Sequence, residues 1–153
     1  MSLPIIEYVA LDITAAINAI SEDNGFNQDL TALRPRRNDF SDVVPEDGLV
    51  VVWQADAARG GEEAAMSAAW MQSFALMAIV LDSDAATDSI DIRINQVAAD
   101  IEKKLNEDVT RGGYAIDTQI DSHVKFSDEG FSGVSVNITV HYRTEHNDPY
   151  TQI

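Results

Sequence analysis

One strand-like segment near the end of the chain constrains the fold more than any other part. Between residues 131 and 143, Val134, Val136, Ile138, Val140 and Tyr142 share one parity. Ser135, Asn137, Thr139 and His141 share the other. Successive side chains on a strand face opposite sides, so this pattern predicts a half-buried antiparallel strand with one face on a core. Thr144-Glu145-His146-Asn147-Asp148-Pro149-Tyr150 then reads as a short polar tail without catalytic equipment.

The remaining segments supply neighbours for that strand. Residues 5–20 predict an amphipathic helix, because Val9, Ile13, Ala16, Ile17 and Ile20 fall on one helical face. Ser21 to Gly25 is a polar stop with a glycine near the C-cap. Residues 29–37 form a short strand that Pro35 confines to a sheet edge or strand end. Residues 37–48 carry turn chemistry, ending in Pro45-Glu46-Asp47-Gly48. Strands are expected at 49–54 and 70–81. Between them, residues 55–69 contain Arg59-Gly60-Gly61-Glu62-Glu63 and form either a long, mobile hairpin tip or a short helix.

A second helix starts near Thr87 or Asp88, one of which is its N-cap, and carries the stripe Ile90, Ile94, Val97, Ala98, Ile101 and Leu105. Lys103 and Lys104 suit its C-terminal end, with Gly112-Gly113 just beyond. Ile116, Ile120, Val124 and Phe126 share a parity and predict a strand, which Ser127 to Gly130 turns into the last one. The expected order is α-β-β-β-α-β-β. Two one-sided helices covering one face of a mainly antiparallel sheet make a two-layer α+β sandwich, in a single domain over residues 1–153. The 70–81 strand is apolar on both parities, with Trp70, Phe74, Leu76 and Val80 on one and Met71, Met77, Ile79 and Leu81 on the other. Its second face expects cover, from loops such as 37–48 or from another subunit.

Charge narrows the function. Twenty-six Asp and Glu stand against 10 Lys and Arg, a formal net charge of -16. Phosphate binding runs on lysine and arginine, so stable nucleic-acid binding is not expected. Three of the basic residues, Arg34, Arg36 and Arg37, cluster around Pro35. Such a basic knot on an acidic chain is either a solvated loop or a contact with an acidic neighbour, and it is taken here with Gly60, Gly61, Glu62 and Glu63 as a candidate intermolecular surface. The absence of cysteine excludes disulfides and thiolate metal sites and fits a cytoplasmic origin. The start of the chain lacks a basic n-region, and its longest apolar run, 74–81, is eight residues against the roughly 20 that span a bilayer. A soluble protein without membrane contact is expected.

No catalytic, cofactor or metal site is expected. Gly130-Phe131-Ser132-Gly133 is one residue short of a nucleophile elbow, and Arg59-Gly60-Gly61 and Arg111-Gly112-Gly113 lack the P-loop spacing. Counting an EF-hand from Asp82 puts Thr87 at the glycine position and Arg93 at the glutamate position, which excludes one for Asp82, Asp84, Asp88 and Asp91. His123, His141 and His146 read as exposed strand and tail residues.

The element order, the segment Asp29-Leu30-Thr31-Ala32-Leu33-Arg34-Pro35-Arg36, and the strand Val136-Asn137-Ile138-Thr139-Val140-His141-Tyr142-Arg143 leading into Asp148-Pro149-Tyr150 resemble the tail terminator (tail completion) proteins of long-tailed bacteriophages and prophages. The resemblance covers nearly the whole chain as a pattern of elements. It implies a non-enzymatic virion protein, assembled in the host cytoplasm as a homo-oligomeric ring, usually a hexamer. That ring would cap the tail tube, stop its polymerisation and present a surface for head–tail joining, with the tube protein and a head connector as partners. DNA would pass through its lumen without being held. A head–tail adaptor or tail tube subunit is the nearest alternative. A small-molecule-binding or enzymatic α+β domain is the alternative from a different class.

Overall fold

The computed structural model describes residues 2–35, 43–60, 67–82, 89–128 and 131–153. Among the described residues it is an α+β fold in which two helices accompany a six-stranded, mostly antiparallel sheet. Helix α1 spans Ile5–Asn18 and α2 spans Ile90–Glu107. The strands are β1 Thr31–Leu33, β2 Leu49–Arg59, β3 Ser67–Val80, β4 Asp117–Asp128, β5 Phe131–Glu145 and β6 Asp148–Gln152. The sheet runs β1-β2-β3-β5-β4, with β6 paired to β5. β1 is parallel to β2, and among the described residues the other pairings are antiparallel.

The helices form where the apolar stripes demand. α1 buries Ile5, Val9, Ala10, Ile13 and Ile17, and α2 buries Ile94, Val97, Ala98, Ile101 and Leu105. These meet Val50 and Val52 of β2, Phe74, Leu76, Ala78 and Val80 of β3, and the predicted row Val134, Val136, Ile138, Val140 and Tyr142 of β5. The alternation of β5 is therefore borne out: those five side chains are buried against the helices, and Ser135, Asn137, Thr139 and His141 face away. Past α1 the chain turns through a short 3₁₀ segment, Glu22–Asn24, ended by Gly25 in the left-handed conformation.

Several expectations are corrected. The strand expected at 49–54 continues to Arg59, and the one expected at 70–81 begins at Ser67 and ends at Val80. Residues 55–59 and 67–69 are thus strand, neither tip nor helix; residues 61–66 lie outside the described residues. The chain supports this extension with a bulge. Register shifts between Gln54 and Ala57, and the carbonyl of Ala55 accepts from Nε2 of the buried Gln72 at 2.7 Å. Gln54 in turn donates to Gln72 at 3.4 Å and accepts from Arg34 at 3.4 Å. The N-cap of α2 is Ser89, whose Oγ accepts from the Ile92 N–H at 3.4 Å, in place of Thr87 or Asp88. The helix ends at Glu107, five positions before the Gly112 expected just beyond it.

The polar tail is a strand. His146 and Asn147 turn the chain, and β6 pairs Thr144 with Gln152 and Glu145 with Asp148. Pro149 is tolerated because β6 is a sheet edge. The order accordingly gains a sixth strand after the last hairpin.

The single parity expected of Ile116, Ile120, Val124 and Phe126 also fails. A register shift between Ile120 and Ser122 makes Asp121 an extra residue, so Ile120 pairs with Ile138 whereas Val124 pairs with Ser135 and Phe126 with Gly133. Beyond a bulge the side chains change faces. Ile120 packs against the core, Val124 and Ile116 are exposed, and Phe126 lies on the opposite face.

Candidate assembly surface

The sheet face turned away from the helices carries two clefts. Register places Met77 between Val51 and Ser135, and Ile79 beside Gly133, which carries Phe126 on its other side. A Cβ on Gly133 would collide with the Ala78 carbonyl oxygen and stand 2.7 Å from Phe126 Cζ. Glycine there lets the Phe126 ring lie over the backbone, edge-on to Phe131 with centroids 6.2 Å apart. These rings, with Met77 and Ile79, line an apolar cleft of about 470 Å³. Val43 and Pro45 line it too, so the described part of the 37–48 loop lies beside the second face as expected of a cover. Gly133→Ala should cost about 2 kcal/mol by forcing β3 and Phe126 to shift. Equilibrium urea unfolding measures this, and a loss below 0.5 kcal/mol, on the order of a neutral surface change, would contradict the packing.

Further along the same face the surface becomes polar. Thr139 donates to Asp121 at 2.5 Å, and Asn137 donates to Ser122 at 3.0 Å while accepting from Ser135 at 2.9 Å. A second cavity of about 490 Å³ is lined by Met71, Asp117, Gln119, His141 and Arg143 among others. The Nε2 of His141 is buried there without a hydrogen-bond partner. Among the described residues no three His, Cys, Asp or Glu side chains converge to hold a metal ion. No helix among them is long and apolar enough to cross a membrane.

The candidate contact residues separate. Arg34 does meet an acidic group, but within its own chain. Its Nη1 donates to Glu7 Oε1 at 2.5 Å and its Nη2 to Glu7 Oε2 at 3.3 Å, tying the end of β1 to α1. Gly60 closes β2, donating its N–H to the Ala69 carbonyl at 3.1 Å. Arg36, Arg37, Gly61, Glu62 and Glu63 lie outside the described residues, as do Asp84 and Asp88 of the acidic cluster. Arg93 has a structural partner. Its Nη2 donates to both Asp47 oxygens at 2.8 Å, and its Nη1 to the Leu81 carbonyl at 2.6 Å.

A charge cluster behind the sheet was not visible in the sequence. Arg111, 1% exposed and in the left-handed conformation at φ 50, donates to the Leu105 carbonyl at 2.5 Å and to the Asp108 carbonyl. It therefore caps the C-terminus of α2, where a cation also opposes the helix dipole. Its Nη1 lies 3.4 Å from Asp12 Oδ1 on α1, so one side chain holds both helices. Burial pushes the Asp12 carboxyl above its ordinary value, and Arg111 acts against that rise. Asp108 is held below the ordinary range by the Thr110 hydroxyl and then the Gly112 N–H. A lowered native pKa stabilises the fold above the unfolded value of 3.8 and loses that contribution as pH falls through the native value. Asp12, raised, has the opposite sign. Asp108→Asn should therefore flatten the acid limb of the stability–pH curve below pH about 4, and an unchanged limb would contradict the turn geometry.

Together the fold and this surface define an acidic α+β domain whose sheet offers one face, part apolar and part polar, away from its helices. A scan against protein-family models gives no match, and neither does a search of curated proteins.

Proposed function

We propose that this chain is a structural virion protein of the tail terminator kind, forming a homo-oligomeric ring that caps a phage tail tube, ends its polymerisation and offers a surface for head–tail joining. In this reading the two helices cover one sheet face as a two-layer sandwich, and the other face is left to the assembly. The observation that carries it is that second face. Its cleft of about 470 Å³ is walled by Met77, Ile79, Phe126 and Phe131, with Val43 and Pro45, where β3 ends and β5 begins. Val44, between the lining residues Val43 and Pro45, and Val124 on the same face of β4 are exposed, and exposed apolar side chains on a strongly acidic chain support an interaction site there. The net charge of -16 supports the same reading, since an acidic lumen repels passing DNA and keeps it mobile.

Particle mass measured from nanomolar to micromolar concentration, with negative-stain imaging, tests the proposal. A closed ring with a central opening is the expected result, and six copies is the expected number. A monomer across the whole range would overturn it, and open filaments would favour a tail tube subunit. The same cleft keeps a second reading, since its volume lies within the range of about 300–1,000 Å³ usual for small-ligand sites. A monomer whose unfolding temperature rises with apolar ligands would favour that reading.

A further inference from the structure

The polar end of the second sheet face carries groups that nothing in the fold employs. They wall the second cleft from three neighbouring strands. The register sets Met71 of β3, His141 of β5 and Asp117 of β4 in one row, and Ala69 beside Arg143 in the next. Gln119 follows Asp117 on the same side of β4, because side chains two apart on a strand share a face. The exposed Ile116 completes the wall just before the strand begins. The volume, about 490 Å³, falls within the range of about 300–1,000 Å³ usual for small-ligand sites.

Three of these groups lack the partners that their chemistry calls for. The Nε2 of His141 is buried without a hydrogen bond, and a buried polar atom of that kind needs an explanation. The guanidinium of Arg143 makes no hydrogen bond or ion pair among the described residues. The other described arginines are engaged: Arg34 by Glu7, Arg93 by Asp47, Arg111 by Asp12, and Arg59 over the Trp70 ring at 4.8 Å. On a chain with 26 acids against 10 basic residues, an unengaged arginine is the exception. Asp117 accepts the Thr118 N–H on Oδ1 at 2.9 Å, and its Oδ2 meets no donor among the described residues. Arg143 and Asp117 are diagonal neighbours, about 7–8 Å apart across such a strand pair, and no ion pair joins them. A cation and an anion held apart across one cleft complement a guest that carries both charges in the opposite order.

We infer that this cleft binds a small zwitterion, an α-amino acid with an apolar side chain. Arg143 takes the carboxylate with its planar fork, and His141 donates to the same group from Nε2. Asp117 and the side-chain carbonyl of Gln119 take the ammonium, while Met71 and Ile116 lie against the apolar side chain. A simple anion would also face Asp117, and a simple cation Arg143, so the doubly charged guest is the one selected. Every group belongs to one chain, and the inference does not rest on the ring reading.

Calorimetric titration of the full chain with L-leucine, N-acetyl-L-leucine and L-leucinamide tests this. Leucine should bind, and each blocked form, short of one charge, should bind about tenfold more weakly, the scale of one lost charged hydrogen bond. Arg143→Gln and Asp117→Asn should each weaken leucine by a similar factor with the unfolding temperature unmoved, since neither side chain is buried. The blocked forms then tell the two ends apart. Arg143→Gln should bind leucine and leucinamide equally, and Asp117→Asn should bind leucine and N-acetyl-leucine equally, a pattern that a general loosening could not produce. No binding of leucine at millimolar concentration overturns the inference. Equal binding of all three probes by the unaltered chain overturns it too, as does leucine binding that neither substitution changes, which would put the guest in the apolar cleft.

Discussion

Arg111→Ala is expected to lower the unfolding free energy by about 3–5 kcal/mol, the cost of breaking a buried ion pair by removing one partner. Three losses coincide. The carbonyls of Leu105 and Asp108 lose a charged donor, the last turn of α2 loses a favourable cation, and the half-buried Asp12 loses its ion-pair partner, with Lys104 left as a compensating charge. For a domain of this size the midpoint should fall by about 10 °C. Combining Arg111→Met with Asp12→Leu should recover a large part of the loss, because two apolar side chains leave no orphaned charge. A scanning-calorimetry series of the single and double variants measures both. A loss under 1 kcal/mol in Arg111→Ala, about that of an exposed pair, would mean that the guanidinium is solvated.

Asp100→Ala should cost about 3 kcal/mol, on the scale of hydrogen bonds made to a charged group. Asp100 is 4% exposed on α2, and its two oxygens accept from the N–H of Asn27 at 3.0 Å and from Asn27 Nδ2 at 3.0 Å. Removing the carboxylate leaves the Asn27 N–H without its acceptor and frees the connection between α1 and β1 from α2. Asp100→Asn should fall between, since its amide keeps one acceptor. Hydrogen exchange separates this from general loosening: the amide of Asn27 should lose protection in Asp100→Ala out of proportion to the β3 and β5 amides. Uniform loss across the chain would contradict the local tie.

The helical stripes and β5 were legible because each carries its period over many residues, as Val134 to Tyr142 does without interruption. What escaped were features with no periodic mark. A bulge adds one residue that looks like any other, so Asp121 silently moved Val124 and Phe126 to the other face from Ile120. β6 carries Pro149 and no apolar alternation, and it is strand because Thr144 and Glu145 extend past the end of β4. The α2 cap was missed by one or two positions because Thr87, Asp88 and Ser89 can all cap a helix. Arg34 was read as a solvated loop residue or an intermolecular contact, but the acid it meets is Glu7 of its own chain, 27 positions earlier, brought to it only by the packing of β1 on α1. Arg111 had no sequence signal, since its acceptors are carbonyls that exist as a pair only once α2 ends where it does.

The place of β5 in the sheet has a consequence for synthesis. β5 is the penultimate strand to be made, yet it lies between β3 and β4 and pairs with 14 consecutive residues of β3. Until residue 145 has left the ribosome, the sheet can exist only as β1, β2 and β3, with the full length of β3 open along one side. Pairing across so long a sequence separation is slow. A stalled or proteolysed chain ending before Phe131 would therefore carry a long, apolar, unguarded edge, the form of intermediate that aggregates or recruits chaperones.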